Sequence, residues 1–236
     1  MNNQDFLEVI TSSFNKFLLS GSRSNEKLKV LHGAIAKDIL NRLDNHYYVS
    51  SLGIGNCKES TIKGRYIDKK VDITITKNNK NIAGIGVKFV MQNYSQNSNN
   101  YFENMLGETA NIRSQNIPYF QIFIIPDILP YYDNNGIITK WEKISQHNID
   151  KYLTLSNDNI ETSIHTPTKT LLFVIHLPDI NKNIFTKQDY INYYQSLSNI
   201  YVTTTKNKYG SFSSAVIFND YECFIDKIIH YIKFID

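Results

Sequence analysis

Glu59, Asp72 and Lys88 are the residues of this sequence whose types and spacing could do chemistry. Asp72 stands inside the apolar run Val71-Asp72-Ile73, where a carboxylate is costly to bury unless a cation pairs with it. Lys88 stands inside Ile85-Gly86-Val87-Lys88-Phe89-Val90. Period-two alternation there puts Gly86, Lys88 and Val90 on one side, so the amine projects into a cleft beside Asp72. Two carboxylates and a lysine in one cleft suit hydrolysis of a phosphodiester. That transition state needs positive charge close to the phosphoryl oxygens, and a water must lose a proton near neutral pH. Mg2+ on hard oxygen ligands meets both needs, and a lysine can orient the attacking water or stabilise developing charge. The plainer reading of the trio is a buried Asp–Lys pair with an unrelated surface Glu.

The elements that must position these residues are legible on either side of them. Leu28, Leu31, Ile35, Ile39, Leu40 and Leu43 recur at three- and four-residue steps, which predicts an amphipathic helix over 26–44. A short strand is expected at 47–49, and Gly53 and Gly55 punctuate a turn before Lys58–Ile62, so that Glu59 falls on a helix or turn end. Residues 66–76 alternate, Asn78–Asn81 reads as a hairpin turn, and 82–90 is the next strand, antiparallel to the first. After a polar tract at 92–100, residues 101–113 place Phe102, Met105, Leu106, Thr109 and Ile112 on one helical face. Tyr119–Ile125 is a nearly continuous apolar run, as expected of a strand buried on both faces, ended by Pro126 and Pro130. Beyond it the pattern predicts helices at 140–153, 186–197 and 221–235 and strands at 170–177, 200–205 and 214–218. The fold class expected is α/β (α+β), a central mixed sheet flanked by helices, in one domain spanning 1–236.

The three segments Lys58–Gly64, Lys70–Ile75 and Gly86–Val90 resemble the PD-(D/E)xK nucleases, and especially their type II restriction endonucleases with an EcoRI-like core. The likeness covers about residues 28–126, where the order helix, strand, strand, helix, buried strand also resembles that family's restriction-endonuclease-like fold. The resemblance implies a helix-borne Glu59 and a hairpin Asp72 as metal ligands, the backbone carbonyl of Val87 as another, and Lys88 as the catalytic lysine. It implies Mg2+ as cofactor, with Mn2+ as a substitute. Val71 replaces the motif's proline, and Gly86 stands where an acid is expected two residues before the lysine. Some restriction enzymes of the class carry the missing carboxylate on the helix after the lysine strand. Glu103, with fourteen residues between it and Lys88, has about that spacing and is the candidate catalytic acid. Glu108 lies five residues further, about 500° around a helix axis, and is expected off that face. Glu59 as the second ligand, exposed helical acids, and a protein that lost catalysis with Gly86 are the competing readings.

Reading bases needs paired donors and acceptors, Arg toward guanine and Asn or Gln toward adenine. Gln92, Asn93, Gln96 and Asn97 follow the lysine strand, and Asn111 and Arg113 close the next helix in a segment that resembles recognition segments of EcoRI-like enzymes. Lys206 and Lys208 lie in an expected late hairpin, Thr203–Ser214, that could grip phosphates. The bland readings are an Asn-rich loop, an exposed helix end and an ordinary surface turn. Residues 127–236 would complete the sheet, and the apolar load on 186–197 and 221–235 suits either core packing or a homodimer surface, as a two-fold enzyme on a palindromic site would need. The partners implied are double-stranded DNA, a second copy of the chain and, by resemblance alone, a cognate methyltransferase.

Composition narrows the rest. Hydrophobic residues are 42% and charged residues 20% of 236, which is ordinary for a globular chain. The net charge of +3 does not by itself mark a nucleic-acid binder, but residues 58–88 carry eight Lys or Arg against three acids. Two cysteines exclude a disulfide scaffold and a four-thiolate zinc site. The start lacks a signal peptide's basic and apolar regions and no run of apolar residues is long enough to span a bilayer, so a cytoplasmic protein without a membrane partner is expected. The six histidines show no HxH or HxxxH spacing, and each reads most simply as a surface or satisfied core residue. No GxSxG and no Gly-rich phosphate loop is present. Other nucleases of the class, such as a resolvase, nicking or repair enzyme, and an inactive DNA-binding protein remain as alternatives.

Overall fold

The computed structural model describes residues 1–21, 24–56 and 58–234. The chain opens with a helix that the hydrophobic pattern over 26–44 had not included, α1 (Asn3–Ser20). Its signal is local: the Asn2 side chain accepts from the Asp5 amide and Asp5 accepts from the Asn2 amide, a reciprocal cap. Phe6, Ile10, Phe14 and Phe17 then follow at helical spacing and are buried. Next come α2 (Glu26–Arg42), β1 (Tyr47–Ser51), β2 (Ser60–Ile62), β3 (Lys69–Val71), β4 (Ile73–Lys77), β5 (Lys80–Phe89) and α3 (Tyr94–Arg113). The second half runs β6 (Tyr119–Pro126), β7 (Ile128–Tyr132), β8 (Ile138–Lys143), α4 (Gln146–Ser156), β9 (Lys169–His176), α5 (Lys187–Ser196), β10 (Thr203–Thr204), β11 (Val216–Phe218) and α6 (Tyr221–Phe234).

The architecture is mixed α/β, with a mixed central sheet flanked by helices. Its strand order is β1-β4-β5-β6-β9-β10, and β11 also pairs with β9. β1, β4 and β5 are antiparallel, whereas β5, β6 and β9 are parallel. The β4–β5 hairpin turns on Asn78 and Asn79, both with positive φ, the conformation a two-residue turn requires. A parallel β5–β6 pair needs a crossover, and α3 supplies it. One face of the sheet packs Ile73, Ile75, Ile85, Val87, Ile122 and Phe173 with α1, α2, α5 and α6; the other packs Val90, Phe123, Ile125, Leu172 and Val174 with α3 and α4. β6 is buried along its whole length, as its unbroken apolar sequence requires.

Several sequence expectations change. Most of the polar tract 92–100 is helix, because α3 begins at Tyr94. Residues 138–143 form a strand, not the start of a helix: Asp133 accepts from the Asn135 and Ile137 amides to shape the β7–β8 turn. Ser145 and Asn148 then cap α4, which fixes its start. Pro130 lies within β7, opposite Trp141. The segment Thr203–Ser214 is not a hairpin, since β10 and β11 both pair with β9 and not with each other. Tyr190, Tyr193, Tyr194, Phe224, Ile228, Ile229 and Ile232 are all buried in the main core, so of the two readings of their apolar load it is core packing that they serve. No helix among the described residues is long and apolar enough to cross a membrane.

Candidate functional site

β4 and β5 pair up to Ile73 and Ile85 and then part, because β3 belongs to a separate two-stranded sheet with β2. Asp72 sits at the break. Its carboxylate accepts from the Val87 amide at 2.7 Å and its carbonyl accepts from the Ser51 hydroxyl at 2.7 Å. The carboxylate thus takes the place of a strand-ladder acceptor. In an extended strand the N–H and C=O of one residue point to the same edge, so the Val87 carbonyl also faces the Asp72 side. The β2–β3 loop is tied to α3 by Asn111, which accepts from the Tyr66 and Ile67 amides and donates to the Ile67 carbonyl. That tie holds β3, and with it Asp72, in place.

Lys88 leaves β5 on the α3 side, and its ammonium lies over the Tyr101 ring, 4.3 Å from the centroid. It shares a cleft of about 480 Å³ with Asp72, His32, Glu108, Tyr119 and Gln121. Burial lowers the pKa of the Lys88 amine, while Asp72 and Glu108 oppose that shift. Burial pushes the Asp72 carboxyl up to about 6; Glu108 adds to the shift, and the Val87 amide, Lys69 and Lys88 counter it. A third of the Asp72 side chain (33%) is still accessible, so a ligand in the cleft can reach it.

The acid nearest to Asp72 and Lys88 on α3 is Glu108, not Glu103. Glu108 is ion-paired with Lys69 and accepts from the Tyr119 hydroxyl at 3.3 Å. Glu103 is exposed, outside the cleft, with Lys151 as its electrostatic neighbour. Glu108 and Glu103 lie on different sides of α3, and it is the Glu108 side that faces the cleft. Gly86 has a steric reason: a Cβ there would collide with the Gln121 amide oxygen and stand 2.6 Å from the Tyr119 hydroxyl. Gly86 and Gln121 are register partners on β5 and β6. A side chain at residue 86 therefore requires the Gln121 amide and the Tyr119 hydroxyl to give way. Gly86→Glu is expected to lower the melting temperature by several degrees, since overpacking a buried site costs about 1–3 kcal/mol. An unchanged melting temperature together with faster hydrolysis in any assay of the protein would contradict this account of Gly86.

Glu59 is not on a helix but in the segment leading into β2, 3.8 Å from the Lys70 ammonium. His32, on α2, is brought to the same place. Its ring is 1% exposed and its Nδ1 is 4.0 Å from Asp72. One ligand atom from each of His32, Glu59 and Asp72 lies within 4.8 Å of the others. Among the described residues neither ring nitrogen has a hydrogen-bond partner, nor has the amide oxygen of Gln121. Burial pushes the His32 pKa down to about 4, with Glu59 opposing, so the ring is neutral and keeps a lone pair at pH 7. Gly33 fixes the height of α2, because a Cβ there would lie 2.8 Å from the Gly53 carbonyl oxygen. Two carboxylates, an imidazole and a backbone carbonyl form a donor set that fits a divalent cation.

The other residues singled out in the sequence divide into two groups. Gln92, Asn93, Gln96 and Asn97 line a groove shared with Lys27, Lys88 and Tyr101, next to the cleft. Within it Asn93 is committed to the Tyr132 backbone through both its amide atoms. Asn111 is buried in the loop tie, and Arg113 donates to the carbonyls of Ser163, Thr166 and Ile160, so both hold loops in place instead of facing outward. Lys206 and Lys208 are exposed between β10 and β11, beyond β6 and β9 from the cleft. His32, Glu108, Tyr119 and Gln121 were not among the expected site residues. The one sequence signal for His32 was a polar ring directly after Leu31 on the apolar stripe of α2.

No known protein family, no curated protein and no solved structure matches the chain.

Proposed function

We propose that the protein is a divalent-metal-dependent DNA endonuclease of the PD-(D/E)xK class, with a restriction-endonuclease-like fold, acting as a type II restriction enzyme. The observation that carries this reading is the break between β3 and β4. It presents the Asp72 carboxylate beside the Val87 backbone, with Glu59 within reach and Lys88 next along β5 in the same cleft. Asp72, Glu59 and the Val87 carbonyl would hold the ion, Mg2+ or Mn2+. When bound, such an ion supplies Lewis-acid charge and a water of lowered pKa.

The chain's own groups supply the rest. Lys88, whose cationic form burial disfavours and Asp72 and Glu108 favour, would place its amine near a phosphoryl oxygen or the attacking water. Lys69 and Lys70 add positive charge along the same cleft, which favours a polyanion entering it. Tyr119, whose hydroxyl burial holds well above its ordinary pKa, stays protonated and orients Glu108. Gln92, Gln96 and Asn97 flank the groove next to Lys88 and are the candidates for base contacts. Double-stranded DNA, a second copy of the chain and a methyltransferase of matching specificity are the partners this reading entails.

Lys88→Met tests the assignment. Cleavage is expected to fall roughly a hundredfold to a thousandfold, while binding of duplex DNA in a gel-shift assay persists. Full cleavage by the variant would remove Lys88 from the mechanism. Wild-type protein that binds duplex DNA but cuts none, whatever the ion, would favour the binding-only alternative linked to Gly86.

A further inference from the structure

We propose that this site selects a first-row transition ion, Mn2+ through Zn2+, over Mg2+, because the His32 imidazole is one of its ligands. This rests on the metal-site half of the proposed function and adds the class of ion. The geometry comes first. His32 is buried, reaches to 4.0 Å from Asp72, and shares a ligand-atom spread within 4.8 Å with Glu59 and Asp72. Ligand atoms on opposite sides of one such ion stand about 4.2 Å apart, given bonds of about 2.0–2.2 Å. Small side-chain rotations therefore bring all three onto one ion.

The second observation is independent of the acids. A neutral imidazole has one donor and one acceptor nitrogen, and leaving a buried polar group unsatisfied costs about 1–3 kcal/mol. Among the described residues neither His32 nitrogen has a partner, although the ring stands against two carboxylates. Coordination satisfies the orphaned nitrogen nearest to Asp72. Mg2+ does not serve this purpose well, since it is small and hard, prefers oxygen and retains its waters. Imidazole suits the later, borderline ions, whose affinity rises from Mn2+ toward Cu2+. With Val87 as an oxygen donor beside Asp72, the set becomes one nitrogen and three oxygens.

The test uses the full chain and the metal alone, without DNA. Mn2+ and Mg2+ are titrated separately, and the Mn2+ complex is examined by electron spin-echo spectroscopy for coupling to a directly bound 14N. The wild type is expected to bind Mn2+ at least about tenfold more tightly than Mg2+ and to show the nitrogen coupling. His32→Gln and His32→Asn are expected to lose the coupling and to weaken Mn2+ binding about tenfold to a hundredfold, with Mg2+ binding changed much less. The wild-type spectrum decides the question even if one variant fails to fold. Mn2+ bound without nitrogen coupling, or variants that keep the wild-type Mn2+ to Mg2+ ratio, would overturn the inference and leave a Mg2+ nuclease standing. Nitrogen coupling in a protein that cuts no DNA would uphold the inference and sink the nuclease reading. Binding of neither ion overturns both.

Discussion

Asp72→Asn is expected to abolish DNA cleavage while making the metal-free protein more stable above pH 6. The loss of cleavage should be about a thousandfold or more, since the variant removes a charged ligand at the centre of the site. The gain in stability follows from the carboxylate's environment. Burial and Glu108 raise the pKa of Asp72 from its ordinary 3.8 to about 6. A carboxyl whose pKa is higher in the folded state destabilises that state once it ionises. Stability is therefore lost as pH rises from about 4 through about 6 and stays lost above that. The full shift corresponds to about 3 kcal/mol; with a third of the side chain accessible, water screens part of it, leaving about 1–2 kcal/mol. Asn keeps an acceptor for the Val87 amide but carries no charge. Calorimetry should show the variant melting roughly 3–6 °C higher at about pH 8, and no such gap at about pH 4. Added divalent ion should raise the melting point of the wild type and not of the variant. A variant less stable than wild type at both pH values would mean that Asp72 serves as a structural pair and not as a strained ligand.

Glu108→Gln and Glu103→Gln should behave very differently, although both acids lie on α3. Glu108 pairs with Lys69, accepts from Tyr119 and influences both Asp72 and Lys88. Removing its charge frees Lys69, lowers the Asp72 pKa and relaxes the hold on the Lys88 ammonium. Cleavage is expected to fall roughly tenfold to a hundredfold, as for outer groups that orient a metal site. Glu103 is exposed, with Lys151 as an electrostatic neighbour, and its variant should cleave within about twofold of wild type. Parallel rate measurements on one duplex decide this, and the opposite ranking would place the displaced acid at Glu103.

How far the sequence could lead is clear from these same residues. Asp72 and Lys88 interrupt apolar runs at period two, and such interruptions are visible without coordinates; so are the Asn-Asn hairpin and the unbroken apolar β6. Glu108 and His32 were not legible, because each joins the cleft through the packing of a helix against the sheet. A spacing rule counts residues along α3 but does not say which of its faces meets β5. Gly86 illustrates the same limit: as a letter it is a missing acid, whereas in space it is the clearance that Gln121 and Tyr119 occupy from the neighbouring strand. Asn111 and Arg113 have the chemistry to read bases, yet both are committed to loop backbone. The tyrosines of α5 and the isoleucines of α6 looked surplus only until α1 was added to the core they share.

The central claim is metal-dependent cutting of DNA, and its most direct test is digestion of phage and plasmid DNA by the purified chain with Mg2+, with Mn2+ and with EDTA, alongside Asp72→Asn. Discrete fragments with a divalent ion, none with EDTA and none with the variant are the predicted result. Intact DNA in every tube, or equal cutting by Asp72→Asn, would contradict the account.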